Sequence, residues 1–61
     1  MRYAAIINQI ANHLETEPSR VKRLILRETA RNLRDASRHK EMATDNYNLT
    51  MIDHAKSLMS A

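Results

Sequence analysis

The middle of the chain decides the fold, and residues 18–43 read PSRVKRLILRETARNLRDASRHKEMA. Glycine is absent from the whole chain and Pro18 is its single proline, so the residues that interrupt helices are almost missing. Proline is favoured in the first turn of a helix, where Thr16 can serve as the N-cap and the Glu17 carboxylate suits the positive end of the helix dipole. We therefore predict a long central helix over residues 17–43.

Two shorter helices are predicted on either side of the central one. In a helix over residues 3–14, apolar residues recur at intervals of three and four and make one stripe. This stripe contains Tyr3, Ile6, Ile7, Ile10, Ala11 and Leu14. A helix over residues 49–60 has a similar stripe of Leu49, Ile52, Ala55, Leu58 and Met59. Thr50 followed by Asp53 favours a helix start there as a capping box. The predicted fold class is all-α, with residues 1–61 forming a single three-helix domain.

The small size of the chain predicts that it associates with a second copy. A globule of 61 residues buries only about 60 % of its unfolded surface, which leaves a marginal core. Cysteine, Phe and Trp are all absent, so neither disulfides nor thiolate-bound zinc can reinforce that core. We predict a helical homodimer in which the partner supplies the missing buried area. Without a signal peptide or a long apolar run, a cytoplasmic protein that does not enter the membrane is expected.

Positive charge is concentrated on the central helix. Residues 20–40 carry eight Lys or Arg side chains against Glu28 and Asp35, a net of +6, whereas the whole chain carries +3. On a helical wheel at about 100° per residue, six arginines fall within an arc of roughly 80°. This arginine ridge consists of Arg20, Arg23, Arg27, Arg31, Arg34 and Arg38. The apolar residues that centre on the opposite side are Val21, Ile25, Leu26, Leu33, Ala36 and Ala43.

The arginine ridge is open to three interpretations. Guanidinium groups stay charged and match phosphate oxygens, so the ridge suits a polyanion such as DNA. It can also be a solvated face, because Glu28 and Asp35 lie at intrahelical pairing distance from Arg31. The third interpretation is a contact with an acidic protein, or with Glu15, Glu17 or Asp53 of a second copy. Two carboxylates cannot neutralise six arginines, which favours the polyanion.

Residues 10–24, IANHLETEPSRVKRL, resemble the helix-turn-helix of bacterial and phage repressors. That motif has a small residue and then an apolar residue in its first helix, here Ala11 and Leu14. An apolar pair three residues apart in the second helix, here Val21 and Leu24, locks the crossing of the two helices. Leu24 also lies among the arginines on the wheel, so it is either this packing residue or part of a subunit interface.

The resemblance implies DNA contacts from the start of the central helix. In the family, polar residues there reach base edges while basic residues hold phosphates. Together with the rest of the ridge, the predicted nucleic-acid-binding residues are Ser19, Arg20, Lys22, Arg23, Arg27, Arg31, Arg34 and Arg38. Size and helical character are also similar to those of the small accessory proteins of lambdoid phages and prophages, which implies a small dimeric protein that modulates phage development. The helix-turn-helix resemblance implies regulation of transcription.

Nothing in the sequence indicates an enzyme, a cofactor or a metal site. His13, His39 and His54 lie on different predicted segments, and none has a His or Cys three or four residues away. Asp53 and His54 are adjacent, which on a helix turns their side chains about 100° apart. No small-molecule substrate is expected. Two hypotheses remain, a DNA-binding regulator and a homodimeric helical protein that modulates a host or phage protein without binding DNA.

Overall fold

The computed structural model describes residues 3–38 and 45–60, and these two ranges contain three helices and no strand. Helix α1 spans Ala4–Leu14, α2 spans Arg20–Arg38 and α3 spans Asp45–Ser60. The prediction of an all-α, three-helix chain is thus confirmed for the described residues. The predicted continuation of the central helix over residues 39–43 lies outside them.

The central helix begins three residues later than the predicted start at residue 17. Ser19 is the N-cap, since its Oγ accepts a hydrogen bond of 3.3 Å from the N–H of Lys22. The predicted cap, Thr16, donates its hydroxyl to the main-chain oxygen of His13 in the preceding turn, at 3.3 Å. Glu17 remains outside α2 because its side chain is bound to His13 and to the N–H of Ser19. The predicted start and cap were therefore wrong.

Helix α3 begins at Asp45, four residues before the predicted start at residue 49. Thr50 lies inside this helix, and its hydroxyl donates a hydrogen bond of 2.9 Å to the main-chain oxygen of Asn46. The predicted capping box of Thr50 with Asp53 was thus wrong. The additional turn brings Asn48 against α1, where it bonds to the hydroxyl of Tyr3.

The core lies where the three helices meet. Its buried apolar side chains are Ile6, Ile7, Ile10, Leu26, Leu33 and Ala55. Around them pack the half-buried side chains of Tyr3, Leu14, Ala30, Met51, Ile52, Leu58 and Met59. The stripe predicted for the first helix accordingly supplies half of the core, although its member Ala11 is exposed.

Besides Ala11, two larger members of the predicted apolar stripes face solvent. Val21 is 65 % exposed and Leu49 is 55 % exposed. Val21 lies about 140° from Leu26 on the wheel of α2, at 100° per residue, and Leu26 is fully buried. Thr29 completes the buried face because its hydroxyl is satisfied by the main-chain oxygen of Ile25, at 2.9 Å. Ala43, the last predicted member of the central stripe, lies outside the described residues.

Candidate nucleic-acid interface

Among the side chains that the structure describes, four arginines of the predicted ridge are exposed on α2. They are Arg20, Arg27, Arg31 and Arg34. Their spacing of seven, four and three residues places them within an arc of about 60°, facing away from Leu26 and Leu33. This row of four arginines faces solvent because the opposite face of the same helix supplies the core.

Little of the positive charge on this face is neutralised. Glu28 approaches Arg31 at 4.0 Å, and both side chains are mostly exposed, so the pair is weak. Within the described part of the chain, Asp35 forms no ion pair with Arg31. The guanidinium groups therefore keep most of their capacity to bind an anion.

Arg23 has a different position from the exposed arginines. Its Nη1 donates hydrogen bonds to the main-chain oxygens of Glu17, at 2.7 Å, and of Pro18, at 3.2 Å. The half-buried Arg23 is thus tied to the turn that precedes α2, and Ser19 and Lys22 lie beside it at the first turn. The side chain of Arg38, the last of the predicted binding residues, lies outside the described set.

The turn before α2 is held by a carboxylate. Nε2 of His13 lies 2.7 Å from Oε2 of Glu17, while Oε1 accepts a hydrogen bond of 3.3 Å from the N–H of Ser19. The hydrogen bond from His13 contributes most to lowering the pKa of Glu17, and the Ser19 N–H and the charge of Lys22 act in the same direction. The ionised carboxylate therefore fastens the end of α1 to the start of α2. This contact was not predicted from the sequence, although His13 and Glu17 are four residues apart and such a spacing favours pairing within a helical turn.

The first residue of the turn between α1 and α2 does not adopt the left-handed backbone conformation. Glu15 takes φ −66° and ψ −27°, so the backbone continues the helical conformation of α1 there. The packing assigned to Val21 and Leu24 by the helix-turn-helix resemblance is not present, since they are 65 % and 54 % exposed. Leu26 and Leu33 pack against α1 and close the core instead.

An open groove of about 440 Å³ runs between α1 and α2 beside the exposed arginines. Its apolar lining consists of Ile7, Ala11, Leu14, Leu24 and Ala30. Its charged lining consists of Arg27, Glu28, Arg31 and Arg34. We call this feature the α1–α2 groove. Leu24 thus borders the groove. The groove could not be predicted from the residue pattern of either helix, because both helices form it.

Neither a metal site nor a membrane span is found among the described residues. No group of three or more His, Asp or Glu side chains is placed to hold an ion there. His13 is paired with Glu17, His54 is exposed, and His39 is not among the described positions. None of the helices in residues 3–38 and 45–60 is both long and apolar enough to cross a membrane.

Comparison with known proteins gives no relative from which a function can be transferred. No protein-family model, no curated protein and no solved structure matches the chain.

Proposed function

We propose that this chain is a small, non-enzymatic regulatory protein that binds DNA or another polyanion through the exposed arginines of α2. The observation that carries the proposal is the row formed by Arg20, Arg27, Arg31 and Arg34. The row is about 21 Å long, because Arg20 and Arg34 are 14 residues apart in a helix that rises about 1.5 Å per residue. A straight, permanently charged row of this length suits several successive phosphates.

The physical basis of the proposed binding is charge neutralisation. Each phosphate that a guanidinium group neutralises releases condensed counterions, which makes the affinity fall steeply as salt is added. Guanidinium groups can also donate two parallel hydrogen bonds to phosphate oxygens. By the helix-turn-helix resemblance, Ser19 and Lys22 would reach bases from the N-terminal end of α2, because on the wheel Lys22 lies about 120 to 180° from the exposed arginines that hold the backbone.

The active form that we propose is a homodimer. Beyond the α1–α2 groove, Val21, Tyr47 and Leu49 expose more than half of their surface, and covering such apolar area favours association. Sedimentation equilibrium should give a mass of twice 7.1 kDa. A mass that stays at one chain at every concentration would show that the dimer proposal is wrong.

The test is the binding of a labelled mixed-sequence duplex, followed by fluorescence anisotropy at about 50 and 200 mM salt. The wild-type chain should bind at low salt and release the duplex at high salt. The double variant R27E/R31E should lose binding while circular dichroism shows unchanged helicity. Arg23 is left intact in this design because it holds the turn before α2.

A single pair of variants provides the matched control. R31E and K56E each reverse one exposed positive charge, but Lys56 lies on α3, away from the ridge. R31E should weaken duplex binding several-fold more than K56E. Equal losses would mean that net charge alone is sensed, and retained binding in R27E/R31E would refute the proposed interface.

A further inference from the structure

The α1–α2 groove is an apolar surface beside a charged one, and polyanion binding does not use its apolar part. Five apolar side chains line it, and Leu24 among them is 54 % exposed. Phosphates gain nothing from contact with such groups, whereas apolar side chains of a partner gain free energy when they leave water there. The groove therefore has the composition of a site for a protein segment.

The shape of the groove fits a helix. On α1 its lining residues Ile7, Ala11 and Leu14 follow each other at intervals of four and three. On α2 the lining extends from Leu24 to Arg34, which is about 15 Å at about 1.5 Å per residue. Two helices side by side present the kind of groove in which the side-chain ridge of a third helix packs.

Charge decides which helix can occupy the groove. Arg27, Arg31 and Arg34 line it, with Glu28 as the single acidic lining residue. A second copy that presented the same face would bring its own three arginines against these, and like charges in contact oppose binding. A helix that carries carboxylates beside its apolar row meets both the arginines and the apolar lining.

We propose that the α1–α2 groove binds an acidic amphipathic helix of a partner protein. The apolar row of that helix packs on Ala11, Leu14 and Leu24, and its flanking carboxylates pair with Arg27 and Arg31. This inference does not rest on DNA binding, because its distinguishing feature is the apolar contact. The two ligands share the exposed arginines, so an acidic helix and a DNA duplex exclude each other.

The test uses the full chain and a synthetic peptide of about 18 residues, which is long enough to form a helix in the bound state. The peptide has a leucine every three or four residues and glutamates beside the leucines. Two further peptides replace either the leucines by serine or the glutamates by lysine. Binding is followed by heteronuclear NMR of the labelled chain, with dissociation constants from titration.

The expected result is binding of the acidic amphipathic peptide alone, with the methyl signals of Ala11, Leu14 and Leu24 shifting most. L24N should weaken binding about tenfold, in keeping with the loss of one buried leucine contact. L49N is the matched control, because Leu49 is 55 % exposed against 54 % for Leu24 but lies on α3. L49N should bind the peptide as the wild type does even where it weakens the proposed dimer, because a single chain builds the whole groove.

Four outcomes would overturn the proposal. Equal binding of the serine peptide would show that charge alone is sensed, and an unchanged affinity in L24N would remove the groove from the contact. A dimer that L24N dissociates and L49N does not would assign the groove to a second copy. If the peptide does not bind while the duplex still does, this inference is wrong and the proposed function stands. If the peptide binds while the duplex does not, the groove stands as a protein-binding site and the proposed DNA interface is wrong.

Discussion

Nη1 of Arg23 lies 2.7 Å from the main-chain oxygen of Glu17, so the first turn of α2 is fastened to the loop that precedes it. The same nitrogen reaches the oxygen of Pro18 at 3.2 Å. Both carbonyls lie outside the helices and would otherwise depend on water for their hydrogen bonds. Arg23 therefore has a structural position that Arg31, one of the exposed arginines, does not have.

Replacing Arg23 by Gln is expected to lower the free energy of unfolding by about 1 to 2 kcal/mol, because a charged donor to two main-chain oxygens is lost. R31Q removes the same side chain from an exposed site and should change stability by less than about 0.5 kcal/mol. Urea denaturation followed by circular dichroism measures both. The order of effects on duplex affinity should be the reverse, with R31Q the more damaging; equal destabilisation by R31Q would contradict this division of roles.

Arg23 and the exposed arginines differ in how far their positions could be predicted from the sequence. Charge periodicity is a property of one helix, so the face that carries Arg20, Arg27, Arg31 and Arg34 could be predicted from spacing alone. The engagement of Arg23 depends on where the chain turns before α2, and spacing does not determine that. The α1–α2 groove likewise arises only when two helices are placed side by side.

The same limit applies to the fold, because the helices could be predicted from the sequence but the contacts between them could not. Three helices could be predicted because apolar residues recur at helical intervals and helix breakers are nearly absent. The starts of α2 and α3 were predicted wrongly because contacts between segments set them. Glu17 is held by His13 at the end of α1, which keeps it outside α2. Asn48 is buried against Tyr3, which extends α3 towards its N-terminus.

The contact between His13 and Glu17 makes stability depend on pH. Hydrogen bonds in the folded state lower the pKa of Glu17 below its ordinary value of 4.5. A lowered pKa means that the unfolded chain takes up the proton first, so the stabilisation is complete above pH 4.5 and is lost as the pH falls through the folded-state pKa. The melting temperature should therefore fall as the pH is lowered from neutral to below 4.5.

E17Q should show a smaller fall in melting temperature over this pH range, because it has no carboxylate to protonate. E15Q is the matched control, since Glu15 is an exposed glutamate two residues earlier. It should retain the pH dependence of the wild type. If E17Q and the wild type lose the same amount on acidification, the contact contributes nothing and the assignment of the turn to Glu17 is wrong.

A buried side-chain amide on α3 is hydrogen-bonded to the residue at the start of α1. Removing its hydrogen-bond partner is expected to lower the stability of the fold. Asn48 is 2 % exposed, and its Nδ2 donates a hydrogen bond of 3.0 Å to the hydroxyl of Tyr3. Among the described residues, its Oδ1 has no hydrogen-bond partner, so the amide depends on this one contact. Y3F removes the acceptor, and a buried donor without a partner costs about 1 to 3 kcal/mol.

Thermal unfolding of Y3F and Y47F provides the comparison. Tyr47 is 57 % exposed, so water can replace a contact that Y47F removes, and this variant should cost less stability than Y3F. Y3F should also increase hydrogen exchange in the first turn of α3, which the bond to α1 holds in place. Equal melting temperatures for Y3F and the wild type would show that the bond does not stabilise the packing of these helices.

Leu24 and Leu26 of α2 test which residue holds the packing of α2 against α1. Leu26 is fully buried, whereas Leu24 is 54 % exposed and was assigned to the crossing by the helix-turn-helix resemblance. L26A should cost about 2 to 5 kcal/mol, because it leaves a cavity in the core. A domain of this size rarely has more than about 3 to 5 kcal/mol in total, so cooperative unfolding should be lost. L24A makes the same change at an exposed site and should cost less than about 1 kcal/mol. Urea titrations of both variants, followed by circular dichroism, measure the difference. If L24A costs as much stability as L26A, then Leu24 does hold the crossing of α1 and α2, as the helix-turn-helix pattern predicts. The α1–α2 groove would in that case be occupied by the chain's own side chains.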